Sequence, residues 1–166
     1  MLKNRIQSMN SLTSAARICI DVYNEGEMQG RLYHAYCEEP MVFRSIIALL
    51  KLLGNLFDGF DFPQVSVKPR SFKEQLPPEK TDLSEGMINS KSNHQRMNMI
   101  RGEQATFWVK VIFRQNATWQ GSIKWVEEGN EINFRSALEL IMLLDSCFAK
   151  AKELDIMNVI KKEEAI

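Results

Sequence analysis

Between Phe107 and Arg114 the side chains alternate, with Phe107, Val109, Val111 and Phe113 on one side and Trp108, Lys110, Ile112 and Arg114 on the other. A period of two predicts a strand whose first set faces a core. Arg17–Tyr23 repeats the pattern, with Ile18, Ile20 and Val22 inward. Polar stretches follow both, Asn24–Gln29 and Gln115–Gln120. Each is closed by a glycine, Gly30 or Gly121, which predicts a turn with a residue free to take positive φ. The return strands are expected at Arg31–Tyr36 and Ser122–Val126, then acidic loops at Cys37–Pro40 and Glu127–Glu131.

The period then lengthens. Phe134, Leu138, Ile141, Leu144 and Phe148 fall at i, i+4, i+7, i+10 and i+14, one broad apolar helical face. Ser136 and Glu139 form an S-x-x-E capping box, which makes Ser136 the N-cap with Phe134 placed to pack back on the first turn. An earlier helix begins at Ser45, where Ala48 replaces the glutamate and leaves half a box, and Gly54 and Asn55 weaken its end. The second helix extends through Ala149–Glu153, a stretch without Gly or Pro.

These parallels follow one offset. Laid on itself with a shift of 91, the chain matches Gln29-Gly30 to Gln120-Gly121 and Phe43-Arg44-Ser45 to Phe134-Arg135-Ser136 without a gap. Leu49, Leu52, Leu53 and Phe57 fall on Leu140, Leu143, Leu144 and Phe148, giving 9 identities in 29 positions. Average composition gives about two. The expected fold class is therefore α+β: two ββα repeats sharing one core, with a mostly antiparallel sheet and two helices about a pseudo-twofold axis. A single domain, 1–166, would contain the first repeat at 15–62, a long partly disordered connection at 63–104, the second repeat at 105–153 and a C-terminal tail at 154–166. In the connection, Val65-Ser66-Val67 between Pro63 and Pro69 reads as a short edge strand, and Lys73–Arg101 reads as mobile.

Composition narrows the function classes. The 166 residues carry 21 basic and 21 acidic side chains, split 6/7 over 1–63, 7/5 over 64–104 and 8/9 over 105–166, so no stretch has the charge of a nucleic-acid binder. No apolar run reaches the ~20 residues of a membrane span, and Met1–Ser14 has no signal-peptide core. Cys19, Cys37 and Cys147 are odd in number and widely spaced, without zinc-site spacing, which fits reduced thiols in the cytoplasm and no metal. The histidines, His34 on a strand and His94 in the connection, stand apart, and no nucleophile, base and orienter are gathered in a motif. No enzyme activity and no cofactor are expected.

Two features remain. Arg44 and Arg135 each precede the N-cap serine of an apolar helix, where the helix dipole opposes a cation. Either each arginine pairs with the acidic loop before it, or Arg44, Ser45, Arg135 and Ser136 hold a small anionic ligand such as phosphate or carboxylate. The tryptophans Trp108, Trp119 and Trp125 cluster on one hairpin. Trp125 shares the inward parity of Ile123, whereas Trp108 faces out unless the connection or another chain covers it. Trp108, Trp119 and Arg114 thus mark a partner surface. Asn116–Gly121 resembles the NxSxxG element of PilZ domains, a family that binds cyclic di-GMP, with Thr118 where serine is usual. Arg96 and Arg101 miss that family's arginine spacing, the first repeat lacks the element and ββα repeats do not suggest a barrel, so no residue is carried over. The expected function is a non-catalytic cytosolic binding or regulatory protein acting through protein partners or self-association, the alternative being the anion binder.

Overall fold

The two alternating stretches become neighbouring central strands of one six-stranded antiparallel sheet in the computed structural model, which describes residues 12–65, 70–72, 92–115 and 118–149. The elements run β1 (Ala15–Asn24), β2 (Glu27–His34), β3 (Met41–Phe43), α1 (Ile46–Gly59), α2 (92–99), β4 (Ala105–Phe113), β5 (Gln120–Trp125), β6 (Glu131–Phe134) and α3 (137–149). The strand order is β3-β2-β1-β4-β5-β6, an α+β architecture.

Strand parity sorts the side chains into two layers. Ile18, Ile20, Leu32, Phe107, Val109, Val111 and Ile123 form one core with Leu49, Leu53, Leu56 and Phe57 of α1 and Leu140, Leu144 and Phe148 of α3. Burying each such side chain stabilises the fold by about 1.5–3 kcal/mol, so this shared face dominates the packing. The opposite parity, Cys19, Tyr33 and Trp108, packs with Met97 of α2 and with Ile100. Residues 92–100 of the connection are therefore docked on the sheet, where the composition suggested mobility. The apolar content is low, but two residues suffice here: Met97 is 2% exposed, and Arg17 is clamped beneath the helix end. The Arg17 guanidinium donates to the carbonyls of Ile100 (2.8 and 2.6 Å) and Asn98 (3.5 Å) and lies 5.2 Å from the Trp108 ring centre. These carbonyls form the electronegative end of α2, which suits a buried cation. Residues 73–91 and 150–153, and the strand residues expected at 66–67, lie outside the described residues; Val65 makes an isolated parallel bridge to Arg114.

Gly30 and Gly121 do not close turns, as expected from sequence, but sit within β2 and β5. The β1–β2 hairpin turns instead at Glu25-Gly26, both at positive φ (49° and 89°). The two internal glycines face register shifts: Ile20 pairs with Gly30 and Val22 with Gln29, while Val111 pairs with Gly121 and Phe113 with Gln120. Each shift is a bulge that brings two backbones close, and a Cβ at Gly30 or Gly121 would collide with the carbonyl oxygen of Cys19 or Lys110. The rings of Phe43 and Phe134 cover the bare glycines from the paired strands.

The bulges also reverse parity. Val22 and Phe113, expected inward, are 49% and 50% exposed, and the next residues turn in. Tyr23 stacks on Phe148 (4.1 Å between ring centres) and donates to Asp145 (2.8 Å); Arg114 lies 5.6 Å from the Phe57 ring centre and pairs with Asp58 (2.6 Å). Thus the end of β1 grips α3 and the end of β4 grips α1, locking the two halves across the sheet. Finally, the sheet has six strands, two more than the four expected, the additions being β3 and β6. β3 and β6 were expected as loop because runs of three and four residues at a sheet edge are too short to show alternation.

Candidate functional site

The serine–arginine pairs come to opposite ends of the sheet, because α1 follows β3 and α3 follows β6, the two edge strands. Ser45 Oγ accepts from the Ala48 backbone N–H (3.1 Å) and Ser136 Oγ from that of Glu139 (3.0 Å), so both hydroxyls are N-caps, as the sequence indicates. The Glu139 carboxylate accepts from the backbone N–H of Arg135 (2.7 Å), which holds it below its usual range. Arg44 is exposed, and the 85% exposed Arg135 side chain approaches Glu139 at 3.6 Å rather than the preceding acidic loop. Each pair leaves an exposed guanidinium beside a serine already engaged.

The aromatic hairpin is distributed differently from the sequence expectation. Arg114 is 4% exposed and bound to Asp58 and to the Pro63 carbonyl (2.6 Å), because the bulge turned it inward, and so it is not part of a partner surface. Trp119 packs edge-on to Phe57 at 6.0 Å, beside Gly54. Trp108 is half-buried between Arg17 and His94, the latter at 5.3 Å. The connection covers it, one of the two possibilities open in the sequence.

The remaining tryptophan borders an apolar cavity. Between β6 and α3 lies a cavity of about 150 Å³, walled by Phe107, Ile123, Trp125 and Ile132 from the sheet and by Leu143 and Cys147 from the helix, with Asn130 and Ser146 at its polar side. Parity directs the sheet residues into it. Successive turns of α3 bring Leu143 and Cys147 over them. Ile132 is 51% exposed, and the ridge from Ser146 back along α3 continues through Met142 (63%) and Leu138 (66%). The indole Nε1 of Trp125 is buried and has no hydrogen-bond acceptor among the described residues. A second cavity of about 340 Å³, around Phe62–Gln64 and Ile112–Gln115, is lined by Arg114, whose Nε and Nη1 donate to the Pro63 carbonyl and to Asp58.

The first half treats the corresponding place otherwise. His34, 91 positions before Trp125, is 1% exposed and stacks on Phe60 at 4.7 Å, with Tyr36 edge-on to Phe60 at 5.7 Å. Its Nδ1 accepts from the Tyr36 N–H (3.3 Å), so Nε2 carries the proton and donates to the Thr13 carbonyl (3.0 Å). Burial lowers its pKa to about 4, which keeps the ring neutral near neutral pH and removes it as a general base. In another polar cluster Arg31 donates to both Asp21 oxygens (2.8 Å each), to the Tyr33 hydroxyl (2.8 Å) and to the Arg101 carbonyl (3.1 Å), and Asp21 also accepts from the Glu103 backbone N–H (3.2 Å).

Sequence reasoning missed Cys147, Leu143 and Ile132 as site residues and treated Trp125 as core. The signal was the comparison of halves: Leu56 and Tyr36 in the sealed flank stand against Cys147 and Glu127 in the open one. Among the described residues no group of His, Cys, Asp and Glu side chains is arranged to hold a metal, and no helix is long and apolar enough to cross a membrane. The chain matches no protein-family model, no curated protein and no solved structure.

Proposed function

We propose that the chain is a duplicated three-strand-plus-helix unit folded about a pseudo-twofold axis, and that it works in the cytosol as a non-catalytic binding protein. It engages a protein partner, or a second copy of itself, through the flank where β6 meets α3. Duplication is supported by the identities at offset 91 and by the matched glycine bulges and N-caps. The crossed contacts support it as well, Tyr23–Phe148 answering Arg114–Phe57 at the same offset. Arg17 and Trp108, also 91 apart, pair directly in the β1–β4 ladder, where a twofold axis would pass. Reduced thiols at Cys19, Cys37 and Cys147 support a reducing compartment.

The observation that carries the binding role is the apolar groove with Ile132 exposed at its mouth, Met142 and Leu138 exposed on the outward face of α3, and β6 an edge strand among the described residues. Exposed apolar surface of this kind is usual at interaction sites. Light scattering and affinity capture of the full chain test the reading, with L138K/M142K as comparison. The wild type is expected to self-associate or retain a partner, and the double variant to lose that association at unchanged melting temperature. A wild type that is monomeric and partnerless, or a double variant that associates equally well, overturns it.

A further inference from the structure

Resting on that reading, we infer that the partner at this flank is a second copy of the chain, and that the two copies join edge to edge, β6 pairing antiparallel with its own twin about Ile132. The ladder fixes which backbone groups are free to do so. Trp125 donates its N–H to the Asn130 carbonyl (2.8 Å), and the neighbouring Val126 turns the other way and donates to Thr106 (2.9 Å). Hydrogen-bonding direction alternates along a strand. In β6, therefore, Ile132 and Phe134 turn their N–H and C=O groups toward β5, while Glu131 and Asn133 turn theirs to the outer edge. Among the described residues no strand lies beyond that edge, and Glu131, Ile132 and Asn133 are all exposed.

A twin centred on Ile132 uses every one of these groups. Glu131 stands opposite Asn133 of the partner subunit and exchanges backbone hydrogen bonds with it, and symmetry repeats the exchange. Ile132, 51% exposed in the single chain, faces its own copy in a non-hydrogen-bonded pair, the kind in which side chains come closest. The charges are self-complementary. Glu131 makes no ion pair among the described residues, and the 85% exposed Arg135 approaches Glu139 only to 3.6 Å. Across the twofold, Glu131 lies diagonal to Arg135 of the partner subunit, a spacing that long side chains bridge. The other edge of the sheet cannot do the same. Pro40 stands 91 positions before Glu131, so the approach to β3 has no N–H to offer there and no carboxylate to meet Arg44 of the partner subunit. One edge open and one blocked limits the assembly to a closed dimer rather than a growing sheet.

The test is sedimentation velocity of the full chain across a dilution series, with thermal melting to confirm that each variant is folded. The wild type is expected to be a dimer that dissociates on dilution. E131P, which copies Pro40, removes one donor from each copy and is expected to raise the dimer Kd at least roughly tenfold. Should E131P not fold, charge reversal replaces it: E131R and R135E are each expected to weaken the dimer roughly tenfold, and E131R/R135E to restore it. The register is read by oxidation in a chain carrying C147S, where I132C is expected to give a disulfide-linked dimer and N133C none. A monomeric wild type, a folded E131P that dimerises as well as the wild type, a double reversal that restores nothing, or N133C crosslinking as readily as I132C overturns the proposal. A monomeric wild type that still captures another protein, and loses it in L138K/M142K, removes the edge pair and leaves the broader binding role standing.

Discussion

At the β3–α1 flank, His34 is 1% exposed beneath Phe60; at the β6–α3 flank, Trp125 is half-buried beside a cavity of about 150 Å³. The backbone plan under the two is the same. Gly30 and Gly121 lie opposite bulges, Phe43 and Phe134 cover them, and Ser45 and Ser136 cap the following helices. The side chains that line the flanks differ, His34 against Trp125, Leu56 against Cys147 and Tyr36 against Glu127. Positions that set backbone geometry are alike in both halves, whereas positions that finish the flank differ. The fold is carried by the first set and the proposed binding role by the second.

The largest expected effect tests the common plan. Gly30→Ala and Gly121→Ala each drive a methyl group into a backbone carbonyl, and each is expected to cost more than about 3 kcal/mol in urea unfolding. A large cost at one glycine and none at the other would break the equivalence.

Next comes pH, which distinguishes the flanks. Burial holds the His34 pKa at about 4 against an ordinary 6.5, so the unfolded chain takes up a proton first as pH falls. The stability contributed by neutral His34 is complete above pH 6.5 and lost between pH 6.5 and about 4, up to about 3 kcal/mol. Unfolding followed across that range checks it, and His34→Leu should flatten the profile, since Trp125 has no proton to titrate there.

The crossed contacts differ in chemistry and therefore in cost. Arg114→Met leaves Asp58 without its partner and the Pro63 carbonyl without its donor; with Asp58 38% exposed, about 2 kcal/mol is expected. Tyr23→Phe keeps the stack on Phe148 and loses one hydrogen bond to Asp145, about 1 kcal/mol. Smallest are the caps: Ser45→Ala and Ser136→Ala should cost about 1 kcal/mol each by thermal unfolding.

Much of this was legible in the sequence. Period two marked β1 and β4, a helical period marked α3, Ser136 with Glu139 marked its start, and the match of Ser45 to Ser136 placed α1. The failures have physical causes. A glycine serves a turn and a bulge equally well, so Gly30 and Gly121 were assigned to turns, and the parity reversal they accompany was invisible. That reversal placed Arg114 in the core and Phe113 on the surface. The edge strands were too short for a period to show. The docking of α2 depends on Arg17, a charged residue on a strand face otherwise read as solvent-facing, satisfied by carbonyls more than eighty positions away. The groove could not be read from either half alone; it emerges only where Cys147 and Trp125 are set against Leu56 and His34.

Site-specific photocrosslinking in cells tests the central claim most directly, with a benzophenone amino acid in place of Met142 on the open flank or of Lys51, the corresponding exposed position on α1. The account predicts a discrete adduct from position 142, either a chain dimer or one defined polypeptide, and none from position 51. Equal crosslinking from both positions, or none from position 142, would contradict it.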